Sequence, residues 1–115
     1  MTESAYNNTY INKTLVALFT ATDVRNTFAK TTRTDYRQWY TKKFKFAFDA
    51  DVPLIRTAEM ILIEAESLYR SGNEAGAKSI LYQLQKNRDA SAVQSANTGA
   101  SLLNEILVER RKELY

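Results

Sequence analysis

Three residues, Ser71-Gly72-Asn73, separate two stretches of helical periodicity, and that short break constrains the fold more than any other feature. Before it, Leu54, Ala58, Ile61, Ala65 and Leu68 recur at intervals of four and three, which lines one face of an α-helix. Ile55, Leu62 and Tyr69 widen the stripe, so burial on more than one side is expected. Asp51 and Pro53 supply a helix start, because a proline in the first turn gives up an N–H that has no partner there anyway. Gly72 suits the left-handed position that ends a helix, and Asn73 suits the cap of the next one. A second helix is predicted from about Glu74 to Asn87 with Ala77, Leu81 and Leu84 inward. A break this short folds the two helices back into an antiparallel hairpin.

Small residues sit where such a hairpin crosses. Ala65, Gly72, Ala77 and Leu81 fall on the spacings of the tetratricopeptide pattern, which predicts that Ala65 and Ala77 face each other. One such unit cannot bury both of its faces and requires neighbours. A third helix is predicted after Asn97-Thr98-Gly99, with Leu102, Leu103, Ile106, Leu107 and Leu114 inward and Glu105, Glu109, Arg110, Lys112 and Glu113 outward. Ser91 to Gly99, small and polar, reads as a loop.

Upstream the pattern weakens. Residues 1–13 lack a period, and Leu15, Val16, Leu18 and Phe19 form a short apolar cluster of one or two helical turns. Residues 31–40 are rich in β-branched and aromatic groups without alternation, so Trp39 reads as lying in a loop. The run from Lys43 to Phe48 alternates, placing Phe44, Phe46 and Phe48 on one face of a strand. The expected fold is therefore mainly α: a tetratricopeptide-like helical hairpin and a third helix over 51–115, preceded by an irregular, short-strand arm over 1–50.

Chemistry is narrowed by two absences. With no Cys and no His in 115 residues, thiol catalysis, His-dependent triads and most transition-metal sites are excluded. No catalytic residue, metal ligand or cofactor is expected. The length fits one domain, no apolar run approaches a membrane span, and the first residues show neither a basic nor an apolar leader region. The net charge of +3 is divided unevenly: residues 1–45 carry eight basic against three acidic residues, residues 46–115 eight against ten.

Two segments carry a family likeness. Leu54-Ile55-Arg56-Thr57-Ala58-Glu59-Met60-Ile61-Leu62-Ile63-Glu64-Ala65-Glu66 and Ile106-Leu107-Val108-Glu109-Arg110-Arg111-Lys112-Glu113-Leu114 stand in order at the right separation, and Asp23-Val24-Arg25 precedes them. Together they resemble the C-terminal part of the SusD/RagB family. The resemblance implies tetratricopeptide-like helices and a non-catalytic, outer-membrane, cell-surface lipoprotein that binds glycans or related nutrients with a TonB-dependent, SusC-like transporter beneath it. It also implies that the chain is an excerpt of a longer protein, expected to expose apolar surface and to self-associate. A tetratricopeptide-type protein-interaction module without carbohydrate binding is the alternative.

Residues 25–48 mix Arg25, Lys30, Arg33, Arg37, Lys42, Lys43 and Lys45 with Tyr36, Trp39, Tyr40, Phe44, Phe46 and Phe48. They read as a solvated basic face flanking core aromatics, as a sugar-binding surface, or as a single-stranded nucleic-acid site. A small net charge and the lack of a recognisable RNA-binding motif disfavour nucleic acid as a partner. For sugar binding the candidates are Trp39 with Tyr36 or Tyr40. Glu59 and Glu66 share a helical face about 10 Å apart along the axis, too far for a glycosidase pair, so these and Glu64 read as solvated or Arg-paired. Glu109 to Glu113 read as structural, and Gly72, Gly76 and Gly99 form no phosphate loop.

Overall fold

A computed structural model describes residues 10–43 and 56–115. Its elements in chain order are α1 (Lys13–Val16), β1 (Phe28–Lys30), a 3₁₀ turn (Tyr36–Gln38), β2 (Trp39–Thr41), α2 (Thr57–Arg70), α3 (Glu74–Arg88) and α4 (Gly99–Leu114). The predicted strand over Phe44, Phe46 and Phe48 and the helix start at Asp51 and Pro53 lie outside the described residues.

The hairpin forms as its turn residues dictate. Gly72 takes φ 85°. The Gly72 N–H donates to the Tyr69 carbonyl at 3.0 Å and the Asn73 N–H to the Leu68 carbonyl at 2.9 Å, the paired bonds of a Schellman motif. The Asn73 side chain then accepts from the Gly76 N–H at 2.9 Å, so one residue closes α2 and opens α3. The core joins Ala58, Leu62 and Ala65 of α2 to Ala77, Leu81 and Leu84 of α3 and Leu102 and Ile106 of α4. Ala65 and Ala77 are both fully buried in that one cluster, as the small-residue spacing requires.

The third helix does not continue the hairpin's alternation. Residues 89–98 run back along α3, so α4 starts beside the start of α3, where the Glu74 carboxylate accepts the Gly99 N–H at 3.0 Å. At the other end Arg88 of α3 meets Glu113 of α4. Helices α3 and α4 are therefore parallel, and α2 runs against both. The return segment is long enough: a helix of 15 residues spans about 22 Å, and ten extended residues reach about 33 Å.

The inward and outward faces of α4 differ from the expectation. Leu102 and Ile106 are buried, but Leu107 and Leu114 are 45% and 41% exposed, while Glu109 and Glu113 are buried. The apolar stripe predicted to extend through Leu107 and Leu114 gives way to carboxylates because this end of α4 packs on the arm, whose contribution is a guanidinium.

In the arm, β1 and β2 pair antiparallel, with Phe28 opposite Thr41, Ala29 opposite Tyr40 and Lys30 opposite Trp39. Trp39 thus opens a strand and is not in a loop. The apolar cluster near residue 15 is α1, with Leu15 buried. Phe19, Phe28 and Tyr115 pack edge to face or tilted at centroid distances of 5.0–5.4 Å, fixing the ribbon to the end of α4.

Candidate functional site

The aromatic ribbon builds a hollow. Side chains alternate along a strand, so Trp39 shares a face with Lys30 and Tyr40 projects opposite with Ala29. Lys30 Nζ stands 5.9 Å from the Trp39 ring centroid. Tyr36 lies in the 3₁₀ turn, which Asp35 caps by accepting the Arg37 N–H at 2.9 Å. The same carboxylate holds the Arg37 guanidinium at 2.6 Å, and Arg37 Cζ sits 5.5 Å from the Tyr36 centroid. The Ile11 N–H donates to the Trp39 carbonyl at 2.8 Å, which brings the start of α1 against the ribbon. Between them opens a space of about 730 Å³ whose walls include Tyr10, Asn12, Lys13, Tyr36, Gln38 and Trp39. Of the three aromatic candidates, the structure brings Tyr36 and Trp39 to one hollow; Tyr40 faces away from Trp39 and does not line it.

Behind the ribbon lies an ionic joint. The Arg25 side chain, 10% exposed, reaches Asp23 at 2.8 Å, Glu109 at 2.6 Å and Glu113 at 2.9 Å. Lys112 adds contacts to Asp23 at 3.0 Å and Glu109 at 3.6 Å, and Arg88 holds Glu113 at 3.0 Å. Three cations thus face three carboxylates, so the burial leaves no net charge. Glu109 Oε1 meets Arg25 as a charge contact without a formed hydrogen bond. Burial raises the carboxyl of Asp23, yet hydrogen bonds from Arg25 and Lys112 outweigh it and hold the group below its ordinary range. Glu113 behaves alike: burial opposes ionisation, and Arg88 and Arg25 overcome it. Arg25 is pulled down by burial and raised more strongly by Asp23 and Glu109, so its charge is permanent.

A second clasp lies beside it. Asp89 accepts from Ser91, Thr20 and Thr22, and these hydroxyls hold its carboxyl far below the usual range. The Val24 N–H also donates to the Arg88 carbonyl at 2.8 Å.

Two of the three glutamates on α2 find partners. Glu66 pairs with Arg70 at 2.7 Å and Arg110 at 3.4 Å, Arg110 also approaches Glu59 at 3.9 Å, and Glu64 is exposed. Arg25 does not belong to a solvated basic face, and Lys43 donates to the carbonyls of Glu113 and Tyr115 at 3.2 and 2.7 Å. Sequence reasoning missed Glu109 and Glu113 as buried groups. Their signal was available in the i, i+4 spacing of two carboxylates on one helix, matched to an Asp-x-Arg segment far upstream.

Among the described residues no helix is long and apolar enough to cross a membrane. No curated protein and no solved structure matches this chain. A family model described as the SusD family matches residues 47–115, the segment that holds α2, α3, α4 and two carboxylates of the ionic joint, Glu109 and Glu113. On that match over more than half its length, the chain belongs to the SusD family.

Proposed function

We propose that this chain is part of a non-catalytic glycan-binding component of an outer-membrane uptake system, and that Tyr36 and Trp39 form its saccharide contact. The family is in general one of nutrient- and glycan-binding outer-membrane components that do not catalyse reactions. The observation that supports the proposal for this chain is the hollow itself: three aromatic rings, Tyr10, Tyr36 and Trp39, and several polar side chains line one space of saccharide size. Aromatic faces stack on the apolar faces of pyranose rings, and the ribbon that carries Trp39 is braced by the packing of Phe28 on Phe19 and Tyr115. Tyr36 is preferred to Tyr40 as the partner of Trp39 because it lines the same hollow.

The cell-surface location and the TonB-dependent, SusC-like transporter as partner belong to the same proposal, resting on the family. Self-association is part of it too, through Met60 and Ile63 of α2 and Leu107 of α4, which are 40–49% exposed; sedimentation at rising concentration tests it. For the saccharide, the test is titration of the chain with oligosaccharide panels while following Trp39 fluorescence. Saturable quenching that Tyr36→Ala weakens supports the reading. No response to any panel member, with a folded protein by circular dichroism, overturns it.

A further inference from the structure

Resting on the reading of the hollow as a saccharide contact, we infer that the saccharide it takes is anionic, carrying carboxylate or sulfate groups. The inference follows from the charged groups at the hollow and from which of them are already engaged. A neutral pyranose presents hydroxyls that both donate and accept, and an unpaired carboxylate is a strong acceptor for them, whereas a lysine only donates. Asp35 is the one acidic residue lining the hollow among the described residues, and both of its oxygens are taken: Oδ1 by the Arg37 N–H at 2.9 Å, Oδ2 by Arg37 Nε at 2.9 Å and Nη2 at 2.6 Å. Asn12 is engaged likewise, since its Oδ1 accepts the Thr14 N–H at 2.9 Å and the Thr14 hydroxyl at 3.0 Å.

Two lysines stand near the rings with no carboxylate on them in the hollow among the described residues. Lys13 lines the hollow, Lys30 lies 5.9 Å from the centroid of Trp39, and Arg37 lies 5.5 Å from that of Tyr36. The Arg37 charge is matched by Asp35, so among the described residues the uncompensated positive groups are Lys13 in the wall and Lys30 beside Trp39. A pyranose stacked on Trp39 carries its exocyclic carboxylate or sulfate at its rim, within reach of a side chain as long as that of Lys30. Cation–carboxylate hydrogen bonds are about twice as strong as neutral ones, so this arrangement favours an acidic sugar over its neutral counterpart. Long-range attraction by the cations also raises the rate of encounter with a polyanionic chain.

The test compares two ligands of one size on the intact chain: an oligogalacturonate trimer and the same trimer with its carboxyls reduced to alcohols, each followed by Trp39 fluorescence at low and at physiological salt. The acidic trimer is expected to bind about tenfold more tightly, to lose that advantage as salt rises, and to lose most of it in Lys30→Gln and Lys13→Gln. Equal binding of the two trimers overturns the anionic assignment and leaves the saccharide surface standing. Tighter binding of the acidic trimer that neither lysine substitution alters also overturns it, because the selectivity then arises elsewhere on the chain. Binding of neither trimer, nor of any other saccharide, removes the hollow as a sugar contact and this inference with it.

Discussion

Arg25 Nη1 lies 2.9 Å from Glu113 Oε2, a contact that spans 88 residues of chain and ties the ribbon-bearing arm to the last turn of α4. Burying two such charges is costly unless every partner is present, so removing one leaves the others uncompensated. Arg25→Ala is expected to destabilise the chain by about 3 kcal/mol, as read from urea unfolding. A loss below about 1 kcal/mol would show that the joint is solvated and that the aromatic packing alone holds the arm.

Acid should open the same joint and the Asp89 clasp beside it. Asp23, Asp89 and Glu113 all have folded-state carboxyls held below their unfolded values. Such groups add stability above their unfolded pKa, about 4, and lose it as pH falls through the folded one. Thermal stability is therefore expected to be flat from about pH 5 to 8 and to drop progressively below about pH 4. A melting temperature that holds or rises on acidification to pH 3 would contradict this sign.

The crossing of α2 and α3 allows no extra volume, since Ala65 and Ala77 are both fully buried. Ala65→Leu should overpack it at a cost on the order of 1–3 kcal/mol. Unchanged thermal stability of that variant would place Ala65 outside the helix crossing.

Gly72 isolates a backbone effect from a steric one. A Cβ placed there meets nothing within 4 Å, yet φ is +85°. Gly72→Ala is thus expected to cost about 1 kcal/mol through backbone strain alone, leaving the core packing and the helical circular dichroism unchanged. A loss of several kcal/mol would mean that packing, not the left-handed turn, sets the requirement for glycine.

The helical half was legible because its apolar residues repeat over three or four turns and its punctuation is explicit: Gly72 and Asn73 perform the roles their chemistry suggests. The strands were not, because three residues are too few to display an alternation, and Lys30, Trp39 and Tyr40 are assigned to faces only by pairing. Charge misled at Glu109 and Glu113. A carboxylate reads as solvent-facing when considered on its own helix, and the group that makes its burial tolerable, Arg25, belongs to a segment more than 80 residues away. Choosing between Tyr36 and Tyr40 as the companion of Trp39 likewise depended on strand register, which composition does not carry.

The parallel course of α3 and α4 has an electrical consequence. Aligned peptide dipoles give each helix the equivalent of roughly −0.5 charge at its C-terminus, and here two such ends lie side by side. Antiparallel α2 begins at that same end and offsets one of them, leaving the field of about one helix terminus unopposed. Cations found there answer both this field and the carboxylates of Glu109 and Glu113: Arg88 and Lys112 on the helices, and Arg25 and Lys43 arriving from the arm. Backbone direction thus acts in the same sense as the Glu109 and Glu113 carboxylates at this end of the bundle, and the arm that docks there brings Arg25 to meet both.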